Sequence, residues 1–218
     1  MNTMLENIYV MAAAALVIGY GFGCFSTAYV VGKANHIDIR SYGSGNAGTT
    51  NAMRTLGKKA GIITYIGDVL KAVIPILLAQ FFVLSGNPDS DLICLILGLG
   101  VVLGHNYPVW LKFKGGKGIA VTSGVFIAVI PQIAVFALIL FVLVALISKY
   151  ISLASICAIL FAGIWMMIYY DFSIAYVLVI TGYIALALWQ HRANIVRLLN
   201  GTENKIGQHK PPLVEKTK

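Results

Sequence analysis

Apolar runs about as long as a lipid bilayer is thick recur along this chain. A helix crossing the ~30 Å hydrocarbon core needs about 20 mostly apolar residues. Such runs occupy about 8–33, 61–84, 91–107, 132–147, 151–168 and 172–190. A shorter piece, 119–130, lies between the third and fourth and is broken from the next run at Pro131. Proline cannot donate a helix hydrogen bond and disfavours helix in the residue before it. Of the 218 residues, 59% are hydrophobic and only 11% charged, and the mean hydropathy of +0.84 lies outside the range of a soluble domain. The expected fold is therefore all-α: a polytopic integral membrane protein of about seven transmembrane helices. The N-terminus lacks a basic stretch, carries Glu6 and leads into an apolar run longer than a signal-peptide core, so it is expected to stay on the protein.

The charges orient this bundle. With the N-terminus outside and seven crossings, the inner loops receive Lys33, Arg40, Arg54, Lys58, Lys59, Lys112, Lys114, Lys117 and Lys149, and the C-terminal tail is cytoplasmic with all its cations. The outer loops hold Glu6, Asp89, Asp91 and Asp171 and no Lys or Arg, as the positive-inside rule requires. Six crossings would put half of these cations outside. The net charge of +8 thus belongs to a membrane surface, and no nucleic-acid partner is expected. Cys24, Cys94 and Cys157 lie singly in apolar runs, without the spacing of a zinc site or a disulfide framework. Asp68 and Lys71 are the only charges well inside a span; three residues apart, they share a helix face. They read either as an ion pair stapling helices or as a functional intramembrane pair.

Three polar segments fall on the inner side. The first holds Gly43-Ser-Gly-Asn-Ala-Gly-Thr-Thr-Asn51, followed by Arg54 and Lys58-Lys59. Its glycines at 43, 45 and 48 spell GxGxxG, but no strand precedes them and no βαβ unit surrounds them, so a dinucleotide site is rejected. Glycines still let backbone N–H groups converge on an anion, with Arg and Lys beside them. The second runs from Gly104-His-Asn-Tyr-Pro108 to Lys112-Phe-Lys-Gly-Gly-Lys-Gly118, ahead of a helix at Ile119. It is not a Walker A loop, because Gly118 stands where Ser or Thr should bind magnesium. Lysines and a Gly pair at a helix N-terminus nonetheless suit a phosphate. The third carries His191-Arg-Ala-Asn194, Arg197 and Gly201 to Gly207. His191 and Asn194 share a face if the last helix continues, and His191 can serve as base or hydrogen-bond donor. Ser152 and Ser155 begin the fifth long run, the sixth helix of the seven; Ser152 reads as a helix cap, and Ser155, a turn deeper, as a candidate to face a shared pocket.

These strings, in this order on one membrane face, resemble the bacterial acyl-phosphate-dependent glycerol-3-phosphate acyltransferase family over nearly the whole chain up to about Gly207. Gly67-Asp-Val-Leu-Lys71 and Ser152-Leu-Ala-Ser155 match as well. The resemblance implies a seven-helix bacterial inner-membrane enzyme with its active site on the cytoplasmic face. It would move a fatty acyl group from acyl phosphate to the sn-1 hydroxyl of glycerol 3-phosphate, giving lysophosphatidic acid and phosphate. It assigns catalytic roles to Ser44, Arg54, His191 and Asn194. Substrate-binding roles go to Gly43, Gly45, Asn46, Gly48, Thr50, Asn51, Gly115, Gly116, Lys117, Gly118, Ser155 and Arg197, and supporting roles to Asp68, Lys71 and Glu203. The sequence departs from the family pattern at Gln190, where Arg is common, and at Thr49, where Ala is expected. Residues 1–207 form the expected transmembrane domain, and 208–218 a basic, disordered tail.

The chemistry suits these residues. An acyl phosphate is already activated, so the protein must neutralise two phosphates, orient one hydroxyl and stabilise an oxyanion. The base is left between His191 and a substrate phosphate. No metal-ligand cluster appears, so neither metal nor cofactor is expected. An intramembrane serine protease would place its nucleophile at the start of a spanning helix, whereas Ser44 lies in a polar, basic loop. A phosphate transporter would show inverted repeats and broken helices meeting at the midplane, whereas these motifs gather at one surface.

Overall fold

The computed structural model describes residues 2–207. The expected tail at 208–218 lies outside the described residues. The chain forms α1 (Asn2–Gly23), α2 (Thr27–Ala34), α3 (Thr49–Leu56), α4 (Lys58–Leu78), α5 (Ser90–Asn106), α6 (Ile119–Val129), α7 (Pro131–Ser148), α8 (Ile151–Tyr169) and α9 (Ile174–Leu199). Short 3-10 turns lie at Ile39–Ser41 and Val109–Leu111, a π-helical turn continues α4 over Ala79–Val83, and no strand occurs among the described residues. Six helical stretches are long and apolar enough to cross a membrane: Asn7–Ala34, Lys58–Val83, Ser90–Leu111, Pro131–Ser148, Ile151–Tyr169 and Ile174–Leu199. The extra helix α6 has 11 residues, about 16 Å at 1.5 Å per residue, so it is about half the length of a spanning helix.

The first apolar run differs from the unbroken helix expected over 8–33. Helix α1 ends at Gly23 and α2 restarts at Thr27, its N-terminus capped by the Ser26 hydroxyl, which accepts from the Tyr29 N–H at 3.4 Å. Lys71 of α4 explains why the break is stable in a nonpolar setting. Its ammonium donates to the carbonyls of Gly23 (3.3 Å) and Phe25 (2.7 Å), supplying partners for carbonyls the helix end leaves free.

Helix α5 is the most buried of the spans and packs on α1, α4, α6 and α9. Its seam with α1 is built from glycines on both sides. A Cβ at Gly19 or Gly23 would come within 2.0 Å of the Leu97 carbonyl or 2.1 Å of that of Val101, while one at Gly100 or Gly104 would meet the Leu16 carbonyl at 2.3 Å or the Tyr20 carbonyl at 2.2 Å. Each helix therefore carries a small-xxx-small pair that lets the two backbones touch. Helix α4 packs on α6 and α3, α7 on α8, and α8 on α9.

The ends of the bundle are unlike. At one end Tyr170 donates to Asp91 (3.0 Å) and stacks on Tyr176 with ring centroids 3.7 Å apart. At the other the three polar segments meet. The Ala47 N–H donates to the Gly115 carbonyl (3.3 Å), Arg40 Nη1 to the Leu111 carbonyl (2.9 Å), and the Ile206 N–H to the Lys149 carbonyl (2.8 Å).

Candidate active site

The first polar segment is shaped by two side chains. Asp38 caps the 3-10 turn through the Arg40 N–H (3.0 Å) and pairs with the Arg40 guanidinium at 2.7 Å. That hydrogen bond from Arg40 holds the Asp38 carboxyl below the usual range. Asn51, on the first turn of α3, is buried and turns back under the loop. Its Nδ2 donates to the carbonyls of Ile39 and Tyr42 (3.0 Å each), and its Oδ1 accepts from the Ser44 N–H at 2.8 Å. Gly43 sits at φ +60, and a Cβ there would lie 2.2 Å from that same Oδ1. Asn51 thus fixes the loop that presents Ser44, and Gly43 makes room for it.

The second segment folds onto the end of α5. The N–H groups of Gly115 and Gly116 donate to the carbonyls of Asn106 (3.2 Å) and His105 (3.0 Å). A Cβ at Gly115 would lie 2.0 Å from the His105 carbonyl, and one at Gly116 would lie 2.0 Å from His105 Nε2 and 2.8 Å from the Ala47 carbonyl. The glycine pair expected to cradle an anion is therefore committed to close backbone packing, and neither residue lines the cavity described below. The open N–H groups come one turn later. Gly118, at φ +85, caps α6, whose first intrahelical bond is made by the Thr122 N–H, leaving those of Ile119 and Ala120 without helical partners.

A cavity of about 400 Å³ lies where these segments meet α8 and α9. From the first segment it is lined by Ser44, Gly45, Asn46, Gly48, Thr49, Thr50, Asn51 and Arg54; from the second by His105, Lys117, Gly118, Ile119 and Ala120. Helix α8 contributes Ile151, Ser152 and Ser155, and α9 and its extension contribute Gln190, His191, Arg192, Ala193, Asn194, Arg197, Glu203 and Asn204. Tyr65 and Asp68 of α4 and Phe141 of α7 complete it. Two helix N-termini, of α3 and α6, open on this space beside Arg54, Lys117, Arg192 and Arg197, an arrangement that attracts anions. Thr49, Asp68 and Asn204 each present a buried oxygen without a protein partner.

One carboxylate organises the cations. Glu203 Oε1 accepts from Asn194 Nδ2 (2.7 Å) and Ser152 Oγ (3.1 Å), and Oε2 accepts from Arg197 Nε at 2.7 Å. Burial alone would raise this carboxyl, but the hydrogen bonds from Asn194 and Arg197 outweigh it and hold the group below the usual range. The other end of Asn194, Oδ1, accepts from Lys117. Burial pulls the Lys117 ammonium down to about 8, with Arg197 and Arg54 adding repulsion against the attraction of Glu203. His191, one turn before Asn194, has its Nδ1 at 2.9 Å from the Ala187 carbonyl. A carbonyl only accepts, so Nδ1 carries the proton and the remaining ring nitrogen, Nε2, serves the cavity.

Most of the residues expected from the sequence are brought together here. Gly43, Gly115, Gly116 and Lys71 stand behind the wall. Ser152 is not a helix cap: its hydroxyl goes to Glu203, while Ser155 lines the cavity and donates to the Ile151 carbonyl at 2.9 Å. Asp68 and Lys71 form an ion pair at 3.1 Å. His105, Tyr65, Arg192 and Asn204 line the cavity without having been singled out; the signal for His105 was its place in the Gly104–Pro108 string opposite the intramembrane Lys71.

Fold and site define a polytopic membrane protein that holds a cation-rich cavity for an anionic substrate at one end of its helix bundle. The chain belongs to the glycerol-3-phosphate acyltransferase family, whose profile matches residues 13–201. It is 45% identical over 196 residues to a glycerol-3-phosphate acyltransferase of Clostridioides difficile (strain 630), covering 89% of this chain and 95% of that protein. It is 39% identical over 207 residues to one of Paraburkholderia phymatum, covering 94% and 95%. A crystal structure of PlsY (YgiH), an integral membrane glycerol 3-phosphate acyltransferase in its glycerol 3-phosphate form, superposes with a TM-score of 0.81 at 36% identity, covering 90% of this chain and 96% of that one. Its lysophosphatidic acid form gives 0.79.

Proposed function

We propose that this protein acylates the sn-1 hydroxyl of glycerol 3-phosphate with acyl phosphate as donor, releasing lysophosphatidic acid and phosphate on the cytoplasmic face of a bacterial inner membrane. The observation that carries the reading is the convergence of Ser44, Arg54, Lys117, His191 and Arg197 on one cavity. Arg54, Lys117 and Arg197 neutralise the phosphates, together with the open N–H groups at the start of α6. His191 Nε2 accepts the hydrogen bond of the attacking hydroxyl and holds it against the acyl carbonyl. The new C–O bond forms as the bond to the phosphate oxygen breaks; the departing phosphate keeps the electron pair, and the hydroxyl proton passes to His191 Nε2 or to a substrate phosphate oxygen. Ser44 stabilises the carbonyl oxygen as it becomes anionic. No acyl-enzyme is required of a mixed anhydride, and among the described residues no hydrogen bond joins Ser44 to His191. Asn194 acts by holding Lys117 on one side and Glu203 on the other. The apolar wall of Ile119, Ala120, Phe141 and Ile151 receives the start of the acyl chain. The loop cations support the cytoplasmic placement.

The test is purified protein in detergent with glycerol 3-phosphate and a long-chain acyl phosphate, scored for lysophosphatidic acid, with acyl-CoA as parallel donor. Product from acyl phosphate alone is expected. Product from acyl-CoA alone would overturn the donor assignment, and no product from either would overturn the reaction.

A further inference from the structure

His105 stands outside the roles assigned above, although it lines the cavity and is only 4% exposed. It is held by a charge cluster behind the cavity wall. Lys71 Nζ lies 2.8 Å from His105 Nδ1 and 3.1 Å from Asp68 Oδ1, and Asp68 Oδ1 also accepts from Thr27 Oγ1 at 3.2 Å. An ammonium has only hydrogens to offer, so Nδ1 must present its lone pair to Lys71. The neutral ring then carries its proton on Nε2. That edge of the ring faces Gly116, where a Cβ would lie 2.0 Å from Nε2 and 2.7 Å from Cε1. Among the described residues Nε2–H has no hydrogen-bond acceptor.

An imidazole N–H that opens on a cation-rich cavity is matched by an anionic acceptor. His105 lines the cavity together with Lys117, and its tautomer is fixed from behind by Lys71. We propose that His105 is a substrate ligand whose Nε2–H donates to a phosphate oxygen held at Lys117. Gly116, behind the wall, is then glycine because any side chain there would push the imidazole out of place. The two cavity histidines have opposite tautomers and opposite tasks: His191 offers a lone pair, and His105 offers a proton donor. The proposal rests on the acyl-transfer reading only for the identity of the anion.

Two substitutions separate a ligand from a packing residue. His105→Asn places an amide oxygen near the position of Nδ1, keeping an acceptor for Lys71 while removing the distal donor. His105→Gln places an amide nitrogen near the position of Nε2, keeping the donor while loosening the hold on Lys71. With both variants checked for a cooperative thermal transition in detergent, His105→Asn should raise KM for a phosphate substrate about 10-fold or more, and His105→Gln should stay nearer the wild type. The rise will fall on glycerol 3-phosphate or on acyl phosphate according to which phosphate the ring holds. The reverse ranking, or two variants impaired alike, overturns the proposal. Should neither variant fold, isotope-labelled histidine in the wild type reads the contact by magnetic resonance: binding glycerol 3-phosphate or phosphate must couple a protonated Nε2 to phosphorus, and no such coupling overturns it. A wild type that forms no lysophosphatidic acid would sink the reaction instead, and that arm is scored first.

Discussion

Raising the pH should weaken the hold on glycerol 3-phosphate through one side chain. The Lys117 ammonium is pulled from 10.5 to about 8, while a bound phosphate favours its charged form. The affinity this cation contributes is therefore present below about 8 and lost as pH rises through that value. With a pKa of about 8, Lys117 is about 90% charged at pH 7 and about 10% at pH 9. If only the charged form holds the anion, KM for glycerol 3-phosphate rises about ten-fold across that window, equivalent to about 1.4 kcal/mol. The assay is initial-rate kinetics in detergent at saturating acyl phosphate, on the wild type and two variants. Lys117→Arg stays charged across the window, so its KM should be flat. Lys117→Ala should be flat as well but displaced upward about 10- to 150-fold, the equivalent of ~1.5–3 kcal/mol for a hydrogen bond to a charged group. A wild-type KM that does not move between pH 7 and 9, or a slope that survives in Lys117→Ala, would refute the reasoning.

Gly116→Val should lower both the thermal midpoint and kcat, because a Cβ there meets both His105 and the Ala47 carbonyl; an unchanged midpoint with unchanged turnover would show that this packing tolerates a side chain. Asn51→Ala leaves the Ser44 N–H and two carbonyls unpaired and should destabilise the protein by about 3 kcal/mol or more, read as a lower thermal midpoint; an unchanged midpoint would show the loop holds without it. Gly104→Val pushes α1 from α5 and should cost ~1–3 kcal/mol, again visible as a lower midpoint in detergent. Single cysteines at Lys59, Lys112 and Lys205 should react with an impermeant thiol reagent only from the inner face, and one at Ser85 only from outside; labelling of any one from the wrong side breaks the proposed orientation.

The helices and the clustering of the polar segments were legible because both follow from local composition. A lipid solvent demands apolar runs of a set length, and cations sort to one side. The face shared by His191 and Asn194, and the Asp68–Lys71 pair, follow from helical spacing alone. What was not legible depends on partners far away in sequence. The break after Gly23 is stabilised by Lys71, 48 residues on, which no local pattern announces. Gly115 and Gly116 read as an anion nest until their N–H groups are seen to be taken by carbonyls at the end of α5. Glu203 read as supporting, but not as the hub joining α8, α9 and Lys117. The reciprocal glycines of α1 and α5 carry a recognisable spacing, yet their pairing needed the packing of the two helices.

The charges of α4 bear on how the protein is assembled in the bilayer. Asp68 and Lys71 can neutralise each other within their own helix, but their other partners lie on α1, on the start of α2 and at the far end of α5. Charged residues at a helix centre disfavour insertion by ~2.5–3.5 kcal/mol each on translocon scales. The second span therefore enters lipid as the least self-sufficient segment of the chain. Its Lys71 ammonium and Asp68 Oδ1 gain their partners from outside α4 only when the first span is already beside it and the third has arrived. The first three spans should consequently leave the insertion machinery as one unit, with the glycine seam between α1 and α5 closing around α4's charges.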